Sequence, residues 1–259
     1  MYLLRKLIRS LFVTPESIGK KGERVAANKL EWNNFLGYEG KVLNNVYIPK
    51  YNGETTEIDL LYITRKGIVV IESKNYSGFI FGSENQPKWT SCVYAGKNFW
   101  GQSQSNKYHF YNPIWQNRGH IQFLNEYLKK DIKTYSLIVF SDHCELKRID
   151  YTSSNVFVCQ SHGISQIIRR IWKNNKDVLS NNEIEHLYKQ LLPLTIQNEA
   201  LKLKHIQDVK KKVNNVSVCP MCGGKLVLRT AKQGRHIGKQ FYGCSNYPRC
   251  TYTKEYIKK

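Results

Sequence analysis

Apolar and polar positions alternate along the chain in a way that predicts most of its elements. Leu3, Leu4, Leu7, Ile8, Leu11 and Phe12 recur at helical spacing between Arg5, Lys6 and Arg9, giving an amphipathic segment at the N-terminus. Thr14, Pro15 and Glu16 then supply an N-cap hydroxyl, a first-turn proline and a first-turn acid, which predict a helix to about residue 36. On that helix Glu23, Ala26, Ala27 and Leu30 share one face, so a carboxylate is aimed where small apolar residues pack. Residues 41–48, 56–63 and 68–74 read as strands, the last two joined by the Gly-containing turn 64–67 as a hairpin. Residues 75–112, rich in Gly, Ser, Asn, Gln and aromatics, suit strands and loops. A helix is predicted over 113–130, with Ile114, Ile121, Leu124 and Leu128 on its apolar stripe. Strands at 135–141 and 155–159 and helices near 165–173 and 182–192 follow. This order predicts an α/β domain to about residue 195. A Lys-rich stretch without Gly or Pro, 195–215, reads as a helical connector, and a shift in composition at Val216 opens a small Cys-rich unit.

Composition makes the chain globular and gives it a bias toward polyanions. With 259 residues, 41% of them hydrophobic and 12% aromatic, it can bury a sizeable core in one or two domains and is not a disordered chain. Its net charge of +20 is uneven: residues 200–259 hold 14 Lys and Arg against 2 acids. The remaining 26 and 18 leave the rest of the chain far less basic for its length. No stretch approaches the roughly 18 apolar residues that span a bilayer, so no stable membrane insertion is expected. The N-terminal segment lacks a small-residue cleavage site and reads as a surface helix or as a membrane-surface contact. The expected compartment is the cytoplasm, with the nucleoid as one location within it. In a reducing compartment clustered cysteines are read as metal ligands before disulfides.

Glu72 and Lys74 lie two apart after Ile68-Val-Val-Ile71, so both point to one face of a strand, and Asp59 lies on the partner strand of the hairpin. Two carboxylates brought together repel unless a cation compensates them. A divalent ion held by Asp59 and Glu72 would do so, and Mg²⁺ takes such a set of carboxylates, water and phosphate oxygens. Lys74 beside them could orient water and neutralise charge on a phosphate. The bland alternative is an ordinary strand ion pair with a solvated Asp59.

The motifs Gly19-Lys-Lys-Gly22-Glu23, Glu57-Ile-Asp59, Ile71-Glu-Ser-Lys74-Asn75 with Gly78 and Trp89, and Asn112-Pro-Ile-Trp-Gln116 occur in this order. Together they resemble the nuclease-related domain (NERD) family of the PD-(D/E)xK restriction-endonuclease-like superfamily, over about residues 17–142. The resemblance implies a central mixed β-sheet flanked by helices and a Mg²⁺ (or Mn²⁺) site. It makes Asp59 and Glu72 the metal ligands, Lys74 the partner that orients water, Glu23 a first-helix acid near the metal and Gln116 a helix residue facing the site. Where the superfamily's name has a proline, this chain has Glu57-Ile58, which leaves the ligand in place.

Cys219-Pro-Met-Cys222 and Cys244-x5-Cys250 are spaced for a tetrahedral Zn²⁺, and a unit of about 40 residues is too small to hold together by its core alone. The run Cys219-Pro-x-Cys-Gly-Gly-Lys-Leu226 with Phe241-Tyr-Gly-Cys244 resembles the C-terminal zinc finger of bacterial type I topoisomerases. Such fingers bind single-stranded DNA, and here Lys225, Arg229, Lys232, Arg235, Lys239 and Arg249 surround Phe241, Tyr242, Tyr247 and Tyr252. Cations neutralise phosphates, and aromatic rings stack on bases without reading sequence. Some of the rings must also serve the small core. The topoisomerase catalytic tyrosine and toprim-like domain have no recognisable counterpart. Cys92, Cys144 and Cys159 read as packed thiols, and His109, His120, His143 and His162 are scattered without an assigned site.

The expected division is an N-terminal segment (1–16), the NERD core (17–142), an extension of the α/β domain (143–195), a connector (196–215) and the finger (216–259). Two functions remain open on the sequence: a metal-dependent deoxyribonuclease whose finger binds DNA, single-stranded foremost with RNA open, or a non-catalytic DNA-binding adaptor on a nuclease-like scaffold.

Overall fold

The computed structural model describes residues 15–50, 54–100, 102–195, 219, 224–233, 236–245, 247–248, 250 and 252–256, and of residues 15–21 the backbone alone. Residues 1–14 of the expected N-terminal segment (1–16) and the connector 196–215 lie outside these residues, while residues 15 and 16 open the first helix. The chain divides into two compact units, one of residues 1–47 and 57–195 that carries the α/β elements, and one of residues 48–56 and 196–259 that carries the finger. Among the described residues no helix is long and apolar enough to cross a membrane.

The α/β unit begins with helix α1 (Pro15–Phe35), followed by strands β1 (Gly40–Pro49), β2 (Thr55–Thr64) and β3 (Gly67–Lys74). Strands β4 (Gly78–Ser83), β5 (Lys88–Lys97) and β6 (Ser103–Tyr111) lead to helix α2 (Pro113–Leu128). Then come β7 (Thr134–Phe140), β8 (Cys144–Asp150), β9 (Val156–Gln160), α3 (Ile164–Asn174) and α4 (Asn181–Leu191). The central sheet has the order β1-β2-β3-β7-β9 and is mixed: β2 pairs antiparallel with β3 from Leu60↔Ile71 to Thr64↔Gly67, while β3–β7 and β7–β9 are parallel. A second sheet, β6-β5-β4-β8, is antiparallel except for its parallel β4–β8 pair.

Strand periodicity divides the core into two layers. Leu60, Tyr62, Val69, Ile71, Leu137 and Val139 turn to one face and pack on Ala26, Ala27 and Leu30 of α1 and on Ile164, Ile168 and Ile171 of α3. Ile138 and Phe140 turn to the other, against Ile114 of α2 and the second sheet's Ile80 and Trp89. On the α1 side Gly22 allows a close approach, since a Cβ there would lie 3.1 Å from the Ser73 hydroxyl oxygen.

Helix α2 departs from the apolar stripe that periodicity predicts. Its buried residues are Pro113, Ile114, Asn117, His120, Phe123 and Leu124, while Ile121 and Leu128 are only half-buried. Polar residues hold this face because the sheet gives them partners: Asn117 Nδ2 donates to the Val70 carbonyl (2.8 Å) and to Ser136 Oγ (2.9 Å). The helix start is stapled to the β4–β5 turn. Asn112 caps the N–H groups of Ile114 and Trp115, and its own amide donates to the carbonyls of Ser83, Glu84 and Gln86. Trp115 Nε1 donates to the Glu84 carbonyl at 2.6 Å. Strand β8 has no expected counterpart, because four of the seven residues in Cys-Glu-Leu-Lys-Arg-Ile-Asp are charged without a clean alternation.

The buried Glu84 joins this turn to the rest of the unit. Its carboxylate accepts from the N–H groups of Thr152 (3.0 Å) and Ser153 (3.2 Å), from the Ser153 hydroxyl and from Arg118 Nη2 (2.9 Å). Burial alone would raise its carboxyl, but these hydrogen bonds and Arg118 hold it below its ordinary value. Replacing Glu84 by Gln is expected to cost about 1–3 kcal/mol at neutral pH, measured by denaturant unfolding. A depressed folded-state value gives stability that is fully present above the unfolded carboxylate range and lost as pH falls through the folded value. The gap between wild type and E84Q is therefore expected to narrow on acidification.

Candidate active site and C-terminal finger

The candidate active site forms where β3 ends. The β2–β3 ladder closes at Leu60↔Ile71, and one residue further the half-buried Asp59 takes over: its Oδ2 accepts the Ser73 backbone N–H at 2.7 Å. Glu72, 2% exposed, faces α2 and is engaged on both oxygens, by Lys74 Nζ at 2.5 Å and by His120 Nε2 at 3.1 Å. Lys74 also donates to Gln116 Oε1 at 2.9 Å. The structure thus brings together Asp59, Glu72, Lys74 and Gln116. Period-2 alternation places the strand residues, and the capped start of α2 delivers Gln116 and, one turn later, His120.

Glu23 stands apart from this contact set. It lies on α1, on the opposite side of the sheet, and accepts a hydrogen bond from Asn45 Nδ2 at 3.2 Å. Asn45, at φ 50°, also donates to Glu57 Oε1 (3.1 Å), which the Tyr47 hydroxyl joins at 2.9 Å. Glu23 is close enough that its charge pushes the Asp59 carboxyl upward.

The electrostatics separate the two central acids. Burial works to raise the Glu72 carboxyl, but the Lys74 ammonium and the contact with His120 overcome it and hold the value down at about 2. Asp59 goes the other way: burial first and the Glu72 charge second push it well above its ordinary value, against partial relief from Lys74 and the Ser73 N–H. Burial disfavours a charged Lys74, yet Glu72 and Asp59 outweigh it and raise the ammonium above its ordinary value. Glu72 is therefore compensated by the protein, whereas Asp59 lacks a full counter-charge. A cation beside Asp59 and Glu72 fits that deficit. Among the described residues no three carboxylate or imidazole ligand atoms of this site lie within 4.8 Å of one another; that closeness occurs in the finger alone.

His120, Asn45, Glu57 and Tyr47 were not among the expected site residues. His120 carries a signal in retrospect, since it lies four residues after Gln116 and so on the same helix face. Cys144 and Cys159 behave as packed thiols, with burial pushing them up to about 11 and about 12.

In the C-terminal unit β10 (Leu226–Thr230), β11 (Gln240–Cys244) and β12 (Thr253–Glu255) form an antiparallel sheet. The buried sulfurs of Cys219, Cys244 and Cys250 lie within 4.8 Å of one another, with Cys219 and Cys250 3.7 Å apart. A tetrahedral Zn²⁺ with bonds of about 2.3 Å requires sulfur separations of about 3.8 Å, so the donor set fits zinc. Cys222, the expected fourth ligand, lies outside the described residues, as do Arg235 and Arg249.

Lys225, Lys232 and Lys239 are exposed, as is Tyr247 at 63%. Arg229 is half-buried: it lies across Gly243, where a Cβ would come within 2.9 Å of its Cδ, and it donates to the Cys244 carbonyl at 3.1 Å. Its guanidinium carbon is 5.9 Å from the Tyr247 ring centroid. Arg229, Phe241, Tyr247, Tyr252 and Thr253 line a cleft of about 270 Å³. Tyr242 turns to the other face and packs edge-on against Tyr256. Of the four expected rings, Phe241, Tyr247 and Tyr252 thus share a side with the cation and Tyr242 does not.

Comparison with known proteins adds a family to this geometry. Residues 18–141 match the nuclease-related domain, and residues 216–259 match the topoisomerase DNA binding C4 zinc finger. The uncharacterized protein pXO1-01 of Bacillus anthracis is 30% identical over 199 residues, 76% of this chain and 86% of that protein. An uncharacterized protein of Methanocaldococcus jannaschii is 29% identical over 116 residues, 41% of this chain and 36% of that protein. DNA topoisomerase 1 of Archaeoglobus fulgidus is 50% identical over 50 residues, 19% of this chain and only 7% of that enzyme. No solved structure matches.

The finger's dependence on zinc is open to a direct measurement. Purified protein is expected to carry one equivalent of zinc by elemental analysis, and Cys244→Ser is expected to lose it. The melting transition of the α/β unit is expected to persist in that variant, because its core is separate from the metal-held strands.

Proposed function

Because the chain belongs to the nuclease-related domain (NERD) family and ends in a topoisomerase-type C4 zinc finger, we propose that it is a metal-dependent deoxyribonuclease that holds DNA through the finger. In this reading residues 17–142 are the catalytic core, 143–195 extend it, and 196–215 connect it to the finger at 216–259. The preferred substrate is single-stranded DNA, met in the cytoplasm or on the nucleoid.

One observation carries the proposal: the Lys74 ammonium is fixed between Glu72 and Gln116 beside an Asp59 whose charge the protein leaves short of compensation. Asp59 and Glu72 would hold a Mg²⁺ or Mn²⁺ ion. When bound, such an ion supplies a Lewis acid for the scissile phosphate and lowers the pKa of attacking water. Lys74 stays protonated, since both acids raise its value, so it acts as a donor that orients water and meets the charge developing on phosphate. Gln116 fixes the direction of that ammonium, and His120 fixes Glu72 from behind. Glu23, held by Asn45, adds negative charge that favours a cation at Asp59.

With Mg²⁺ or Mn²⁺ the purified protein is expected to cleave DNA, and Asp59→Ala or Lys74→Ala to reduce the rate by roughly 10²–10⁴-fold while DNA binding persists. His120→Ala, which removes a positioning contact, is expected to lose about 10–100-fold and to weaken the apparent affinity for the divalent ion. Robust cleavage by the Asp59→Ala protein would refute the site. DNA binding without cleavage under any divalent metal would assign the chain to the adaptor reading.

A further inference from the structure

Strands β5 and β6 outrun the sheet that supports them. Strand β4 pairs with β5 only through Phe79↔Cys92, Ile80↔Ser91 and Phe81↔Thr90, whereas β5 and β6 stay paired to Lys97↔Ser103. Residues from Tyr94 onward therefore form a two-stranded ribbon that overhangs the start of β4 by about 17 Å, counting five residues at ~3.4 Å each. That end of β4 begins at Gly78, four residues after Lys74, so a short loop joins the ribbon's end of the second sheet to the strand that carries Glu72 and Lys74. The supported part of β5 and β6 below it is tied to the loop after Lys74: Ser91 Oγ donates to the Ser77 carbonyl at 2.8 Å, and Phe110, opposite Trp89, stacks on Tyr76 at 4.1 Å.

The tip is ordered by Asn98. Its Oδ1 accepts the N–H groups of Trp100 (3.0 Å) and Gln102 (2.9 Å), and its backbone N–H donates to the Gln102 carbonyl at 2.9 Å. This presents Phe99 and Trp100, 95% and 81% exposed, with their rings edge-to-face at 5.5 Å. Two large rings in water at the end of a polar ribbon have no role in the core. Along the two strands that carry them, residues 88–111, the charged side chains are Lys88, Lys97 and Lys107, with no acid among them.

We propose that this ribbon is a second DNA-contacting element of the α/β unit, independent of the finger, in which Phe99 and Trp100 stack on unpaired bases. Lys97 and Lys107 meet the phosphates, and the amides and hydroxyls from Gln102 to Asn106 contact backbone and base edges. A nucleic acid fits better than a lipid surface, because that row of polar groups would find no hydrogen-bond partners among acyl chains. Charge complementarity between the ribbon's lysines and a polyanion, and the attachment of β5 and β6 to the loop that follows Lys74, both favour the same occupant. The inference rests on DNA being the substrate, and its test is a binding measurement that does not require cleavage.

Full-length, zinc-loaded protein without added Mg²⁺ or Mn²⁺ is titrated into a forked duplex carrying 2-aminopurine at the unpaired positions. Wild type is expected to shift the probe's fluorescence as a ring stacks on it. Phe99→Ala/Trp100→Ala is expected to abolish the shift and to weaken binding by at least roughly fivefold, with an unchanged melting temperature showing that it folds. Cys219→Ser is expected to keep the shift at saturating protein. Equal affinity and equal fluorescence for wild type and the double variant would overturn the ribbon proposal and leave the nuclease reading standing; no binding by any form would refute DNA as the ligand altogether. Flotation of wild type but not the double variant with phosphatidylglycerol vesicles, or a dimer in sedimentation that the double variant dissolves, would also overturn it.

Discussion

A carboxylate with almost no exposed surface sits at the junction of the central sheet and α2. Glu72 can remain ionised there only because Lys74 and His120 each take one of its oxygens. The effective cost of burying a lone charge is several kcal/mol even after relaxation, and the elements that supply its two partners meet that need. Strand β3 must end with two residues of alternating pitch to place Lys74 beside Glu72. Helix α2 must lie close enough for an imidazole to reach the other oxygen, and Asn117 holds it at that distance through the Val70 carbonyl and Ser136. Once Glu72 is satisfied by the protein, the second acid, Asp59, is the one left wanting a counter-charge.

The mount of α2 shows how one short motif meets several demands. In Asn112-Pro-Ile-Trp-Gln116 the asparagine caps the helix and grips the β4–β5 turn, and the proline stands at the first helical position. Ile114 enters the core, the tryptophan holds the Glu84 carbonyl, and the glutamine reaches Lys74. Capping, packing and site geometry are thus settled within five residues.

Much of this was legible in the sequence, and the exceptions share a cause. Asp59, Glu72 and Lys74 could be placed on one face because strand alternation and a short hairpin are local rules. The cysteine spacing announced the finger for the same reason. His120 and Asn117 were hidden because an apolar-stripe search passes over polar residues whose partners lie on a sheet 19 to 48 positions away. Glu84 was hidden further still, since its ligands at Thr152 and Ser153 are 68 and 69 residues distant. Strand β8 escaped because it is an edge strand with charged residues, whose pairing comes from Gly78–Ser83 and not from its own pattern. Long-range polar pairing leaves no period in a sequence.

The close approach of Gly22 to Ser73 has a bearing on drift in this motif. Ser73 separates Glu72 from Lys74 and points away from both, so the chemistry ignores its side chain. The helix carrying Glu23 does not. A larger residue at 73 would crowd α1 where it packs on the sheet, so the spacing residue of the motif is limited in volume by the helix on the other face. Positions 22 and 73 should then change together among relatives, small against small, even where every charged residue stays the same.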